Sequence, residues 1–126
     1  MSNNQKTTIL YVDDEEINLY IFEQTFQDDY KVFTANSGEE GLKQLDNHAE
    51  SILVVISDMR MPNMNGVEFI TQAKAKHQKI IYFVLTGYSY NDEIDHAIQN
   101  NIIHKFFTKP FNKTEIDLAI SEALQG

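Results

Sequence analysis

The sequence predicts an α/β protein in which five parallel strands form a doubly wound sheet with helices on both faces. Five short apolar runs, such as TILYV at 8–12 and ILVVIS at 52–57, have the length and composition of strands buried in a parallel sheet. These runs alternate with stretches of helical periodicity at roughly 25 residues per unit, which is the spacing of βαβ connections.

The strands are predicted from these apolar runs at 8–12, 30–35, 52–57, 80–85 and 102–108. The first helix should follow Asp14 and bury a wide apolar face made of Ile17, Leu19, Tyr20, Ile21, Phe22 and Phe26. The second should begin after Ser37, because Glu40 three residues later completes a capping box.

The remaining helices are placed by loop and cap residues. The segment 58–66 contains Pro62 and Gly66 and should be irregular, so that the third helix starts near Gly66. The fourth is expected at about 91–99, and Asn112 should cap the fifth.

Length and composition indicate a single globular domain spanning 1–126, with residues 1–6 as a flexible N-terminal extension. The chain is 42% hydrophobic and 23% charged, which is typical of a globular protein. Its net charge of −9 argues against a sequence-independent nucleic-acid binder. It has no apolar run of the ~20 residues that span a bilayer, and no signal-peptide pattern at its start. It also has no cysteine, which is compatible with the cytoplasmic location that we expect.

Polar side chains follow four of the five predicted strands. Asp13 and Asp14 follow the first, Asp58 the third, Thr86 the fourth and Lys109 the fifth. Because ligands of open parallel sheets bind outside the carboxyl ends of the strands, these residues are expected to form one site. Helix-dipole stabilisation would account for Asp13 and Asp14, but not for Asp58, which precedes a loop.

The chemistry of this set suits phosphoryl transfer. Three neighbouring carboxylates would repel one another unless a cation intervened, and Mg²⁺ takes oxygen ligands. An aspartate can act as the nucleophile, while a cation and the ammonium of Lys109 neutralise the phosphoryl oxygens.

The motifs VDDE (12–15), SDMRMPNMNG (57–66), VLTGY (84–88) and FFTKPF (106–111) resemble those of the receiver domain of two-component response regulators. The resemblance covers essentially the whole chain, in order. It implies the flavodoxin-like or CheY-like (βα)5 fold with strand order 2-1-3-4-5.

By this resemblance Asp58 is the phosphoacceptor. Asp14, Asp58 and the backbone carbonyl of Arg60 would ligate Mg²⁺, with Mn²⁺ as an alternative ion, and Asp13 would act through a metal-bound water.

The resemblance also implies that Lys109 binds the phosphoryl oxygens, that the Lys109–Pro110 peptide is cis, and that Thr86 and Phe106 form the switch. Position 106 is Phe where Tyr is common, so a phenol hydroxyl is lost there. Asn100 and Asn101 replace a frequent glycine turn, and asparagine tolerates the left-handed conformation.

Arg60 and Tyr88 each lie two residues beyond a matched site residue, where the family tunes the lifetime of the phosphate. We expect these two side chains to shield the acyl phosphate from water and slow its hydrolysis.

The resulting expectation is a phosphorylation-controlled signalling domain, not a metabolic enzyme. A histidine kinase or histidine phosphotransfer protein would be the donor, and helix 4, strand 5 and helix 5 would contact an unknown downstream protein. The alternatives are a pseudo-receiver that binds partners without phosphate and a Mg²⁺-dependent phosphatase, which would usually carry an acid where Arg60 stands. Whether the chain is stand-alone or part of a longer regulator or hybrid kinase, and whether it dimerises on phosphorylation, is left open.

Overall fold

Five parallel strands form one sheet in the order β2-β1-β3-β4-β5, as predicted. The computed structural model describes residues 6–87 and 91–125. The elements in chain order are β1 (Thr7–Val12), α1 (Glu16–Phe26), β2 (Tyr30–Ala35), α2 (Gly38–His48), β3 (Ile52–Asp58), α3 (Gly66–Lys76), β4 (Ile81–Thr86), α4 (Asp92–Gln99), β5 (Lys105–Thr108) and α5 (Lys113–Gln125). Within these described ranges, no helix has the length and apolarity to cross a bilayer.

The two faces of the sheet carry separate apolar cores, because successive strand residues point to opposite sides. In β1, Leu10 and Val12 join one core, together with Phe69 of α3. Ile9 and Tyr11 join the other core, under α1 and α5. All strands but the edges are therefore buried on both sides, which accounts for their continuous apolar runs.

The apolar face predicted for α1 is wrong in its width. Phe22 and Phe26 are fully buried, but Ile17, Tyr20 and Ile21 are 61%, 60% and 45% exposed. A helix that packs on a sheet through one side can bury only a stripe of its surface, and six apolar positions in this helix exceed that stripe.

The fifth strand is shorter than predicted, since it begins at Lys105 and not at 102. Asn101 has φ of 62°, so the left-handed turn expected there is confirmed. The backbone N–H groups of Ile102 and Ile103 then both donate to the carbonyl of Ala97 at 2.8 and 3.2 Å, which ends α4. These bonds prevent Ile102 and Ile103 from joining the sheet.

Side-chain caps fix the beginnings of the helices. The Ser37 hydroxyl accepts the Glu40 N–H at 3.0 Å as predicted, although the Glu40 carboxylate reaches the N–H of Asn36 and not that of Ser37. Asn65 and Glu68 form a complete capping box at α3 that the sequence analysis missed. This cap anchors the loop that follows Asp58.

Candidate functional site

Three carboxylates meet at the carboxyl edge of the sheet. One oxygen from each of Asp13, Asp14 and Asp58 lies within 4.8 Å of the others. Asp13 is fully buried and Asp58 is 5% exposed, whereas Asp14 is open to solvent. The neighbouring positions of β1 and β3 bring these acids together.

Lys109 supplies a positive charge to this cluster. Its Nζ lies 2.8 Å from Oδ1 of Asp58 and 3.8 Å from Oδ2 of Asp13. The backbone N–H of Lys109 donates to the carbonyl of Thr86 at 2.8 Å, and the following peptide bond to Pro110 is cis. The ammonium is therefore held over the acids by the end of β5, and it bonds directly to one of them.

Asp13 is held by donors that the sequence analysis did not identify. The Tyr11 hydroxyl donates to its Oδ2 at 2.7 Å. Its Oδ1 accepts the Glu15 N–H at 3.0 Å and the Asn18 amide at 3.5 Å. The available signal was that Tyr11 lies on β1 two residues before Asp13, and so faces the same side of the sheet if the extended backbone continues to Asp13.

A tight loop positions Asp58. The backbone N–H of Met59 donates to the carbonyl of Leu85 at 3.1 Å, which extends the pairing of β3 with β4 past Asp58. The N–H of Gly66 donates to the carbonyl of Met59 at 2.9 Å. A Cβ on Gly66 would collide with the backbone carbonyl of Asp58, so this close approach requires glycine.

The surroundings of Asp58 shift the pKa of its carboxyl in opposite directions. Burial raises the pKa of its carboxyl above the ordinary value, the Lys109 hydrogen bond partly offsets this, and the charges of Asp13 and Asp14 add to the rise. Burial alone would lower the pKa of Lys109, but its hydrogen bond to Asp58 and the nearby acids raise it overall. Lys109 is therefore a cation at neutral pH. The ionised form of Asp58 is unfavourable, and a further cation would stabilise it.

The predicted switch residues flank the cluster. Thr86 is 2% exposed and ends β4, one residue after Leu85, which pairs with Asp58. Phe106 is half-buried on β5 and packs against the core that includes Val84. The structure thus places Thr86 beside the acids and Phe106 on the adjacent strand.

Of the two residues expected to tune phosphate lifetime, only Arg60 is among the described residues. Arg60 is exposed in the loop after Asp58, where it borders a cavity of about 470 Å³ that also touches Asn91. Tyr88 lies outside the described residues.

The donor set fits a hard divalent cation. Asp13, Asp14 and Asp58 offer only carboxylate oxygens, the ligands that Mg²⁺ and Mn²⁺ prefer. Lys109 bonds to Oδ1 of Asp58 at 2.8 Å, so this carboxylate already has one cationic partner beside the other two acids.

Comparison with known proteins places the chain in a family. Residues 9–121 match the response regulator receiver domain. The transcriptional regulatory protein GlrR of Escherichia coli is 30% identical over 125 residues, which cover 99% of this chain and 28% of that protein. The hydrogenase transcriptional regulatory protein HoxA of Cupriavidus necator is 24% identical over 124 residues, 98% of this chain and 25% of HoxA. The chain thus spans about a quarter of the length of these relatives.

A solved structure supports the same assignment. A response regulator receiver domain protein from Clostridium thermocellum superimposes with a TM-score of 0.84 at 30% identity, covering 94% of each chain. This likeness agrees with the five-stranded parallel sheet described above. The chain belongs to the receiver domain family of two-component response regulators.

Proposed function

We propose that this domain is a signalling switch that accepts a phosphoryl group on Asp58 in a Mg²⁺-dependent reaction. The observation that carries the proposal is the placement of Asp58, whose Oδ1 lies 2.8 Å from Lys109 Nζ within a cluster of three carboxylates. A histidine kinase or a histidine phosphotransfer protein would be the donor, and the reaction would take place in the cytoplasm.

In the proposed reaction an oxygen of Asp58 attacks the phosphorus of a phosphohistidine. The new O–P bond forms as the N–P bond breaks, and the electron pair of that bond stays on the imidazole nitrogen of the donor. Lys109 already contacts Asp58, so its ammonium is placed to bind a phosphoryl oxygen as charge develops.

The metal would be held by Asp14, Asp58 and the backbone carbonyl of Arg60, with Asp13 acting through a water. When bound, Mg²⁺ or Mn²⁺ supplies charge neutralisation for the phosphoryl oxygens. Support comes from the all-oxygen donor set and from the unfavourable ionisation of Asp58 without such a cation.

The proposed output is a shift of Thr86 toward the phosphoryl group, followed by a rotation of Phe106 into the core. Thr86 ends the strand next to that of Asp58, and Phe106 lies one strand farther on β5, where it is only half-buried. The changed surface would comprise α4, β5 and α5, and a downstream protein or effector domain would recognise it. GlrR and HoxA are named as transcriptional regulators, but the output of this chain is not fixed by those names.

Arg60 and Tyr88 are proposed to slow hydrolysis of the aspartyl phosphate. Arg60 follows Asp58 by two residues, and its side chain is exposed. The double variant Arg60→Ala, Tyr88→Ala should lose the phosphoryl group faster than wild type, as followed by intact mass over time. A rate that is unchanged or slower would contradict this role.

Two alternative functions are separated by one experiment. The protein is incubated with Mg²⁺ and acetyl phosphate, and its intact mass and released phosphate are measured. One stable phosphoryl adduct, lost in Asp58→Asn and kept in the exposed-acid control Asp46→Asn, supports the switch. Release of many phosphate equivalents would instead support a phosphatase, and absence of any adduct would support a phosphate-independent binding module.

A further inference from the structure

A buried phenol borders the acid cluster. Tyr11 is 1% exposed, and its hydroxyl donates to Oδ2 of Asp13 at 2.7 Å. Its ring stacks on Phe22 with a centroid distance of 4.0 Å and an interplanar angle of 7°. Burial raises the pKa of this phenol far above its ordinary value, and the charge of Asp13 adds to the rise.

The atom that accepts this hydrogen bond also lies close to Lys109. Oδ2 of Asp13 lies 3.8 Å from Lys109 Nζ, only 1.0 Å farther than Oδ1 of Asp58 at 2.8 Å. Two buried acids therefore compete for one ammonium. The Tyr11 hydroxyl already donates a hydrogen bond to Oδ2, so Asp13 attracts Lys109 less strongly than it would without this donor.

We propose that Tyr11 is a positioning residue that keeps Lys109 on Asp58 by satisfying Oδ2 of Asp13. This inference rests on the proposed function of Asp58 and adds a residue to it. Without the hydroxyl, Oδ2 of a fully buried carboxylate would lack this hydrogen-bond donor, and Lys109 Nζ, 3.8 Å away, is a donor that can replace it.

The proposal predicts that removal of the Tyr11 hydroxyl has opposite effects on cation binding and on the rate of phosphoryl transfer. The departure of Lys109 leaves the carboxylate of Asp58 without its ammonium partner, so that a cation should bind to Asp58 more tightly. Phosphoryl transfer should slow, because Lys109 is drawn away from the nucleophile and from the phosphoryl oxygens. General damage to the site would weaken both properties together.

The test uses Tyr11→Phe, with Tyr82→Phe as its matched control. The Phe side chain retains the ring that stacks on Phe22 and removes only the hydroxyl. Tyr82 is also 1% exposed, but its hydroxyl donates to the carbonyl of His77, away from the acids. Both variants lose one buried tyrosine hydroxyl, so the control reports the cost of that loss by itself.

Two measurements on the intact protein decide the outcome. Calorimetric titration with Mg²⁺ alone should give a Kd about three- to tenfold lower in Tyr11→Phe than in wild type, with no change in Tyr82→Phe. Phosphorylation by acetyl phosphate at saturating Mg²⁺ should be about three- to tenfold slower in Tyr11→Phe only. Wild-type values for both quantities, or a higher Kd together with a lower rate, would overturn the proposal.

A third measurement does not depend on the proposed function. In a metal-free crystal structure of Tyr11→Phe, Lys109 Nζ should lie about 3 Å from Oδ2 of Asp13. If Lys109 stays on Asp58 there, the positioning role is wrong. If wild type bound no Mg²⁺ and took no phosphate, the proposed function would fail, while this structure would still decide where Tyr11 directs Lys109.

Discussion

Replacing Asp58 with asparagine should stabilise the metal-free protein at pH 7, although it removes an ion pair. Burial raises the pKa of this carboxyl above its ordinary value of 3.8, so the folded chain holds the proton more tightly than the unfolded chain. The free energy of unfolding therefore falls as the pH rises from about 3.8 through the folded-state pKa. At pH 7 the folded protein bears the full cost of the ionised group.

The distances between the charged groups show why Lys109 does not offset the free-energy cost of the ionised Asp58. At an effective dielectric constant of about 20, the 2.8 Å pair of Lys109 and Asp58 is worth about 6 kcal/mol. Repulsion from Asp13 and Asp14, at 4.8 Å or less, amounts to at least about 3.5 kcal/mol each before screening by solvent. Attraction and repulsion roughly cancel, and the desolvation of a side chain that is 7% exposed is left uncompensated.

After the substitution, the ammonium of Lys109 can still be solvated by water or attracted by Asp13. Its side chain is 30% exposed, and Oδ2 of Asp13 is 3.8 Å away, so the ammonium is not stranded. We therefore expect Asp58→Asn to raise the free energy of unfolding by about 1–2 kcal/mol at pH 7, within the range seen when buried ionic groups are replaced by neutral ones.

Urea denaturation with a chelator at pH 7 and at pH 3 measures this effect. The stabilisation by Asp58→Asn should be present at pH 7 and should vanish at pH 3, where the wild-type carboxyl is protonated in both states. The control Asp46→Asn should not stabilise at pH 7, because hydrogen bonds from Lys76 and His77 lower the pKa of Asp46. A loss of stability in Asp58→Asn at pH 7, or a gain that persists at pH 3, would refute the reasoning.

Three further substitutions test how the site is built, each by urea denaturation. Gly66→Ala should cost about 1–3 kcal/mol because its Cβ meets the Asp58 carbonyl. Gly87→Ala should cost less than about 1 kcal/mol, because its Cβ would meet only Lys109 Cδ at the ordinary contact distance of 3.9 Å; equal costs would contradict the close-approach argument. Asn65→Ala should lose about 1 kcal/mol with the capping box of α3, and an unchanged stability would show that this cap is dispensable. Phe22→Ala should cost about 3–5 kcal/mol because its ring is fully buried, and a loss below 1 kcal/mol would contradict its place in the core.

The fold and the main site residues could be predicted because both follow from position along the strands. A parallel sheet exposes the carboxyl ends of its strands at one edge, so Asp58 and Lys109 were expected at the same edge once their strands were assigned, and their side chains are 2.8 Å apart. The boundaries of β5 could not be predicted in this way. Ile102 and Ile103 are apolar like strand residues, and only their hydrogen bonds to Ala97 show that they belong to the turn after α4.

The contacts that support the site residues could not be predicted from the sequence, for a related reason. Apolar pattern places Tyr11 in a strand, but it does not reveal that the hydroxyl reaches Asp13. Similarly, the count of apolar residues in α1 suggested burial, whereas Ile17 and Tyr20 are exposed because the sheet covers only one side of the helix. Such contacts depend on the relative rotation of packed elements, which hydrophobic periodicity does not specify.

The most direct test of the central claim is chemical trapping of the modified residue. The protein is incubated with acetyl phosphate and Mg²⁺, reduced with borohydride, digested, and sequenced by mass spectrometry. Because borohydride converts an acyl phosphate into an alcohol, we predict homoserine at position 58 in wild type, dependent on Mg²⁺ and absent without the phosphodonor. Homoserine at another acid such as Asp13 or Asp14, or no homoserine in the presence of Mg²⁺, would contradict the assignment of Asp58 as the phosphoacceptor.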